Sequence, residues 1–169
     1  MMDCEDMAMF TIDGIRKLHG WTHSCLGIVT DHIETIPAEQ FVKEVPGFGF
    51  STLQRQLVHV FNCEGLWIRA LQGLEYDDCN PSACPTIDEV KRLQQQVSTA
   101  TSDYLSRTTD HQLNTDTELR FPDGDIVVRT PALVLHHVFT HAFHHKGQMV
   151  TMCRALGYPA PDTDLNWFN

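Results

Sequence analysis

The sequence predicts an all-α fold, a four-helix bundle with a short β-hairpin before its last helix. Three observations carry the prediction. Four segments place apolar residues three and four positions apart, the period of an amphipathic helix. Glycine and proline clusters punctuate the joins between them. One stretch between the third and fourth segments reads instead as two short strands about a tight turn.

Residues 5 to about 33 carry Ile12, Ile15, Leu18, Trp21, Cys25, Ile28, Val29 and Ile33 at helical spacing. Gly14, Gly20 and Gly27 weaken the local propensity, so packing must hold this first helix. Two prolines and two glycines in residues 37–49 exclude a regular helix there. Ser51-x-x-Gln54 reads as a capping box that opens a second helix over 52–72, and Gly73 is placed to end it. Leu53, Leu57, Val60, Glu64, Ile68 and Leu71 form its stripe. A loop over 73–85 follows. Thr86-Ile87-Asp88-Glu89 is a second capping box, and the third helix runs from it to about Arg107. Its apolar face carries Ile87, Val90, Leu93, Val97, Ala100, Tyr104 and Leu105. Leu119-Arg120-Phe121 and Ile126-Val127-Val128 flank Pro122-Asp123-Gly124-Asp125 as the hairpin. Thr130 as N-cap and Pro131 at the first helical position start the fourth helix, which runs to about Leu156 and stops at Gly157. The tail from Tyr158 to Asn169 is expected to pack as irregular chain. No repeat or composition break divides residues 1–169, so a single domain is expected. The longer joins from second to third and third to fourth helix leave room for crossover connections.

Composition narrows the function classes. Hydrophobic residues at 42% and charged residues at 20% exclude intrinsic disorder. A net charge of −10 repels nucleic-acid phosphates and anionic lipid, so neither partner is expected. No apolar run approaches the ~20 residues of a membrane span. Met1-Met2-Asp3-Cys4-Glu5-Asp6 has neither the basic nor the apolar part of a signal peptide, and a cytoplasmic location is expected. The six cysteines are accordingly expected as thiols, and the absence of any CxxC argues against a thiolate zinc pattern.

The chemistry concentrates in the fourth helix. Leu135-His136-His137-Val138-Phe139-Thr140-His141-Ala142-Phe143-His144-His145 holds five histidines within ten residues. Residues four apart on a helix differ by roughly 40° in direction, so His137, His141 and His145 form one slowly turning stripe. That face continues through Gln148, Met149 and Met152, which are core-like, so His141 and His145 point inward. Two imidazoles at i and i+4 can reach one ion, and an unpaired imidazole inside would be costly. Hydrogen-bonded core histidines are the alternative. In the second helix His59 is the only histidine, and Cys63 lies one turn beyond it on the same face.

Two stretches resemble the DinB-like (DinB/YfiT) superfamily of four-helix-bundle metalloproteins. One runs from Phe48-Gly49-Phe50 through His59, Cys63-Glu64 and Trp67 to Leu71-Gln72-Gly73. The other is His137-x3-His141-x3-His145-Lys146-Gly147-Gln148, followed by Leu156-Gly157. Arg120-Phe121-Pro122-Asp123-Gly124 resembles the hairpin of that family. The resemblance implies a divalent ion held by His59, His141 and His145, with remaining positions for water or substrate. Zinc is the first expectation and nickel the second. Relatives include metal-dependent transferases that use low-molecular-weight bacterial thiols, a maleylpyruvate isomerase that uses mycothiol, and proteins described as hydrolases. The implied function is thus a metal-dependent thiol S-transferase or hydrolase acting on a small molecule, with a low-molecular-weight thiol as a candidate cofactor. The alternative is a non-enzymatic metal- or ligand-binding stress-related bundle protein. Bundles of this family pair through helix faces, so a homodimer is an expectation.

Several further positions carry expectations of their own. Glu64 lies roughly 140° round the helix from His59, so it is no co-ligand on a straight helix. A buried partner on the first helix, or a general-base role, fits it. Cys63 reads as a small buried hydrophobe or a reactive thiol. His137 is a possible extra ligand or support, and Gln148 a possible hydrogen-bond support to a ligand histidine. On the first helix His19-x3-His23 repeats the ligand spacing around Trp21, and His23 is a candidate for substrate contact. Gly147, costly in a helix, suggests close approach of a neighbouring helix.

Overall fold

A computed structural model describes residues 10–121 and 124–165. It contains α1 (Ile12–Glu34), α2 (Ala38–Phe41), α3 (Leu53–Leu71), a 3-10 turn (Pro81–Ala83), α4 (Ile87–Arg107), α5 (Asp110–Leu113), β1 (Thr117–Arg120), β2 (Ile126–Arg129) and α6 (Pro131–Ala155). The four long helices form the expected bundle. α1 and α3 each lie against both α4 and α6, so α1 and α3 face each other across a diagonal. The diagonal crossings are therefore α1 to α3 and α4 to α6. The α3-to-α4 join, long enough to leave room for a crossover, connects neighbours. None of the described helices is long and apolar enough to cross a membrane.

Local chemistry sets the boundaries. α1 starts at Ile12 because Thr11 is extended and its hydroxyl accepts the Gly14 N–H at 3.2 Å. The helix thus begins later than the residue-5 start expected, and residues 5–9 lie outside the described chain. Pro37 opens the single turn α2, which seats Phe41 in the core within a stretch expected to lack helix. The cap of α3 is Thr52, accepting from Arg55 N at 3.0 Å, and not Ser51. Gln54 instead donates to the carbonyls of Pro81 and Cys84, tying the 73–85 loop to α3. The Thr86–Glu89 capping box and the Thr130–Pro131 start are as expected. α5, with its own Thr109–Gln112 capping box, is too short to leave a periodic signal. The hairpin pairs Thr117 with Arg129 and Arg120 with Ile126, and Leu119 is its buried anchor.

The interior has two apolar parts. One gathers Leu26, Val29, Leu57, Phe61, Val97 and Met149 with their neighbours. The other gathers Ile15, Ile68, Leu105, Leu135 and Phe139. Along three helices a polar residue separates the two: His19 and His23 on α1, Glu64 on α3, and Thr101 on α4. In the described tail, the Thr163 carbonyl accepts from Cys25 Sγ and from Lys146 Nζ. Cys25, Cys63, Cys79, Cys84 and Cys153 are free thiols, as expected, and Cys4 lies outside the described residues.

Candidate metal centre

α3 packs along α6, and that contact brings His59 against His141 and His145. One ligand atom from each lies within 4.8 Å of the others. The Nε2 atoms of His59 and His141 are 3.0 Å apart. Ring centroids are 4.8 Å apart for His59 and His141, 4.7 Å for His59 and His145, and 4.4 Å for His141 and His145. Donors at 2.0–2.1 Å from a tetrahedral ion sit about 3.3–3.4 Å from one another. The trio is thus close to the spacing an ion imposes. His145 is buried, whereas His59 and His141 are partly exposed, so the group opens to one side.

The surroundings prepare the imidazoles as ligands. Burial, reinforced by the neighbouring imidazoles, lowers His141 and His145 to about 4. Burial also lowers His59. Neutral rings at pH 7 leave lone pairs free for a cation. His145 is oriented by Gln56, whose Oε1 accepts from His145 Nδ1 at 2.6 Å. The Gln56 amide nitrogen donates to Phe50 O and to Gln148 Oε1, both at 2.8 Å, which fixes its oxygen toward His145. That leaves His145 Nε2 facing the other two rings. Phe50 stacks on His59 with centroids 3.9 Å apart.

Several sequence expectations need revision. Gln148 is a side-chain hydrogen-bond partner of the ligand His145, as expected, but it does not act alone. It also holds Gln56, and its amide nitrogen meets His144 Nε2 at 2.7 Å. Gln56, fully buried, is a second support of His145, and sequence reasoning missed it. The available signal was a polar residue one turn before His59 inside an apolar stripe. His137 stands outside the trio, exposed and edge-on to Trp67 at 5.5 Å. Cys63 is outside it too, and burial, with the Glu64 charge, pushes its thiol up to about 11. In the metal-free protein it is therefore a thiol at neutral pH. A Cβ on Gly147 would meet nothing, so close helix approach does not explain that glycine. The close approach lies at Gly65, where a Cβ would sit 2.5 Å from the Tyr76 ring.

Glu64 faces away from the trio, as its helical angle requires. His23 Nε2 lies 3.0 and 3.1 Å from its two carboxylate oxygens. Thr101 Oγ1 donates to Oε1 at 2.6 Å. His19 Nε2 is 3.4 Å from Oε1 but is not aligned for a hydrogen bond and has no other partner. Glu64, His19 and Thr101 are buried, and the expected partner of Glu64 on α1 is thus His23 with His19 beside it. Burial would raise the Glu64 pKa, but the two neighbouring imidazoles outweigh it and hold the carboxyl well below its usual range. Thr101 was legible only as a threonine inside the Val97–Leu105 stripe. His23 therefore serves Glu64, and its side chain is only 11% exposed. A surface groove of about 680 Å³ beside Arg69, Tyr104 and Arg107 holds none of these histidines.

The model of the DinB family matches residues 15–169. The chain is 28% identical over 121 residues to the uncharacterised protein YizA of Bacillus subtilis, covering 72% of this chain and 74% of that one. It is 24% identical over 148 residues to Protein DinB of the same organism, covering 83% and 84%. Among solved structures it is similar to a DinB-like protein from Bacillus cereus, with TM-score 0.69, 21% identity, and coverage of 90% of this chain and 97% of that one. It is similar also to YfiT from Bacillus subtilis, with TM-score 0.61, 19% identity, and coverage of 91% and 92%. YfiT is described as a "probable metal-dependent hydrolase with an unusual four-helix bundle topology".

Proposed function

The chain belongs to the DinB family, and from that premise we propose that it is a divalent-metal-dependent enzyme acting on a small molecule, by hydrolysis or by thiol transfer. The observation that carries the reading is the convergence of His59, His141 and His145 from two helices, with one buried and two partly exposed rings. Three neutral imidazoles suit zinc first and nickel second. When bound, the ion supplies Lewis-acid chemistry, lowering the pKa of a water or a substrate thiol near pH 7. The chain does the rest. Gln56 fixes the ring of His145, Phe50 shields one face of His59, and the exposed side leaves room for the reacting molecule. The open side favours an enzyme over a bundle whose ion only braces the fold.

The test is metal content and turnover of untagged protein. His141→Ala and His145→Ala are each expected to lose one equivalent of zinc, while Cys79→Ser retains it. A chelator-sensitive activity in a screen of thiol transfers and ester or amide hydrolyses should vanish in His141→Ala. Equal metal retention in all three variants defeats the site. Bound metal with no metal-dependent turnover, together with a large melting loss on chelation, leaves the stress-protein reading.

A further inference from the structure

We propose that His19, His23 and Glu64 form a second divalent-cation site, separate from the three-histidine group and set at the middle of the bundle. One donor atom from each lies within 4.8 Å of the others. Two imidazoles at i and i+4 on α1 and one carboxylate from α3 are the donor set of a two-histidine, one-carboxylate site. The spacings agree. His19 Nε2 to Glu64 Oε1 is 3.4 Å and His23 Nε2 to Glu64 Oε2 is 3.0 Å, against the about 3.3–3.4 Å that a tetrahedral ion imposes.

Two further observations point to a cation. First, Glu64 is 2% exposed, and among the described residues its ion-pair partners are these two imidazoles alone. A buried carboxylate with no lysine or arginine needs a positive charge beside it. Second, His19 is 6% exposed, and its Nε2 is directed at the carboxylate yet makes no hydrogen bond. A lone pair aimed into the cluster is what a ligand requires, and leaving it unpaired is costly. Thr101 occupies Glu64 Oε1 with its hydroxyl, which orients the carboxylate and leaves Oε2 turned toward His23. His23 also lines a groove of about 380 Å³ between α1 and α4, with Ser24, Gln94 and Ser98, which gives an ion a route in.

The site is tested without touching its residues, in the variant His59→Ala/His141→Ala, which removes the three-histidine group. Zinc is the probe, by equilibrium dialysis at micromolar free metal, with circular dichroism as the check on folding. Wild type is expected to hold two equivalents and the double variant one. Adding His23→Gln, which keeps a polar partner for Glu64, should release that last equivalent, while adding His136→Ala or Cys79→Ser/Cys84→Ser should not. A folded double variant with no zinc overturns the inference, and a wild type with one equivalent in that case leaves the three-histidine reading intact. Retention of the last equivalent after His23→Gln also overturns it. One equivalent in wild type that persists in the double variant and leaves with His23→Gln upholds this site and defeats the other.

Discussion

α1 and α6 each carry a histidine pair four residues apart, and each pair is completed by α3. His141 and His145 meet His59, while His19 and His23 meet Glu64, five positions further along the same helix. The first cluster is all imidazole, partly exposed, and kept neutral by burial and mutual repulsion. The second includes a carboxylate, is almost wholly enclosed, and keeps that carboxylate ionised. The spacing of a pair says only that two rings can share a partner. The residue presented by the facing helix decides whether the result is an open neutral ligand set or a closed charged one.

The largest expected effect separates the two clusters by stability. Glu64→Ala strips the acceptor from both His23 and Thr101, leaving two buried groups unpaired, and should cost about 1–3 kcal/mol for each in denaturant unfolding of chelator-treated protein. His141→Ala, at a partly exposed position, should cost far less under the same conditions. Equal losses would erase the contrast. Next in size, Gln56→Leu should weaken zinc binding at the three-histidine group by about 10–100-fold, because His145 loses its orienting oxygen. A zinc titration of the His23→Gln background reads this directly, and an unchanged affinity would remove Gln56 from the site.

Acid should dissect the clusters by pH window. His141 and His145 titrate near 4 when folded and near 6.5 when unfolded. Between those values the unfolded chain binds more protons, so metal-free stability falls as pH drops from 6.5 toward 4. The Glu64 pKa is lowered from 4.5, so its contribution is present above that pH and is lost below it. Unfolding midpoints across pH should therefore show two declines, and His141→Ala/His145→Ala should diminish only the upper one. The smallest effect is expected from Gly147→Ala, which meets open space beside the metal helix. It should stabilise by up to about 1 kcal/mol and leave the zinc content of both clusters unchanged.

Much of this was legible beforehand, for identifiable reasons. Helix periodicity and the caps at Thr86 and Thr130 are local signals, and the four long helices and the hairpin followed from them. The His59, His141 and His145 group came from spacing together with a family resemblance, and α3 does meet α6 there. What failed depended on contacts between distant residues. Gln56 was missed beside Gln148 because only tertiary packing shows that a second amide reaches His145. Gly147 was credited with the crowding that belongs to Gly65, since no local feature reveals that Tyr76 folds back onto α3. The diagonal placement of α1 and α3 has no sequence signature either, and it is what joins His23 to Glu64.

That polar layer also indexes the bundle. An apolar stripe of leucine and valine can slip by a turn, about 5.4 Å, and still find apolar neighbours. α3 cannot, because one turn either way carries Glu64 toward the environment of Phe61 or Ile68, away from Thr101 and both imidazoles. The four residues work as a locating pin between two smooth surfaces, and they hold α1, α3 and α4 in one vertical alignment.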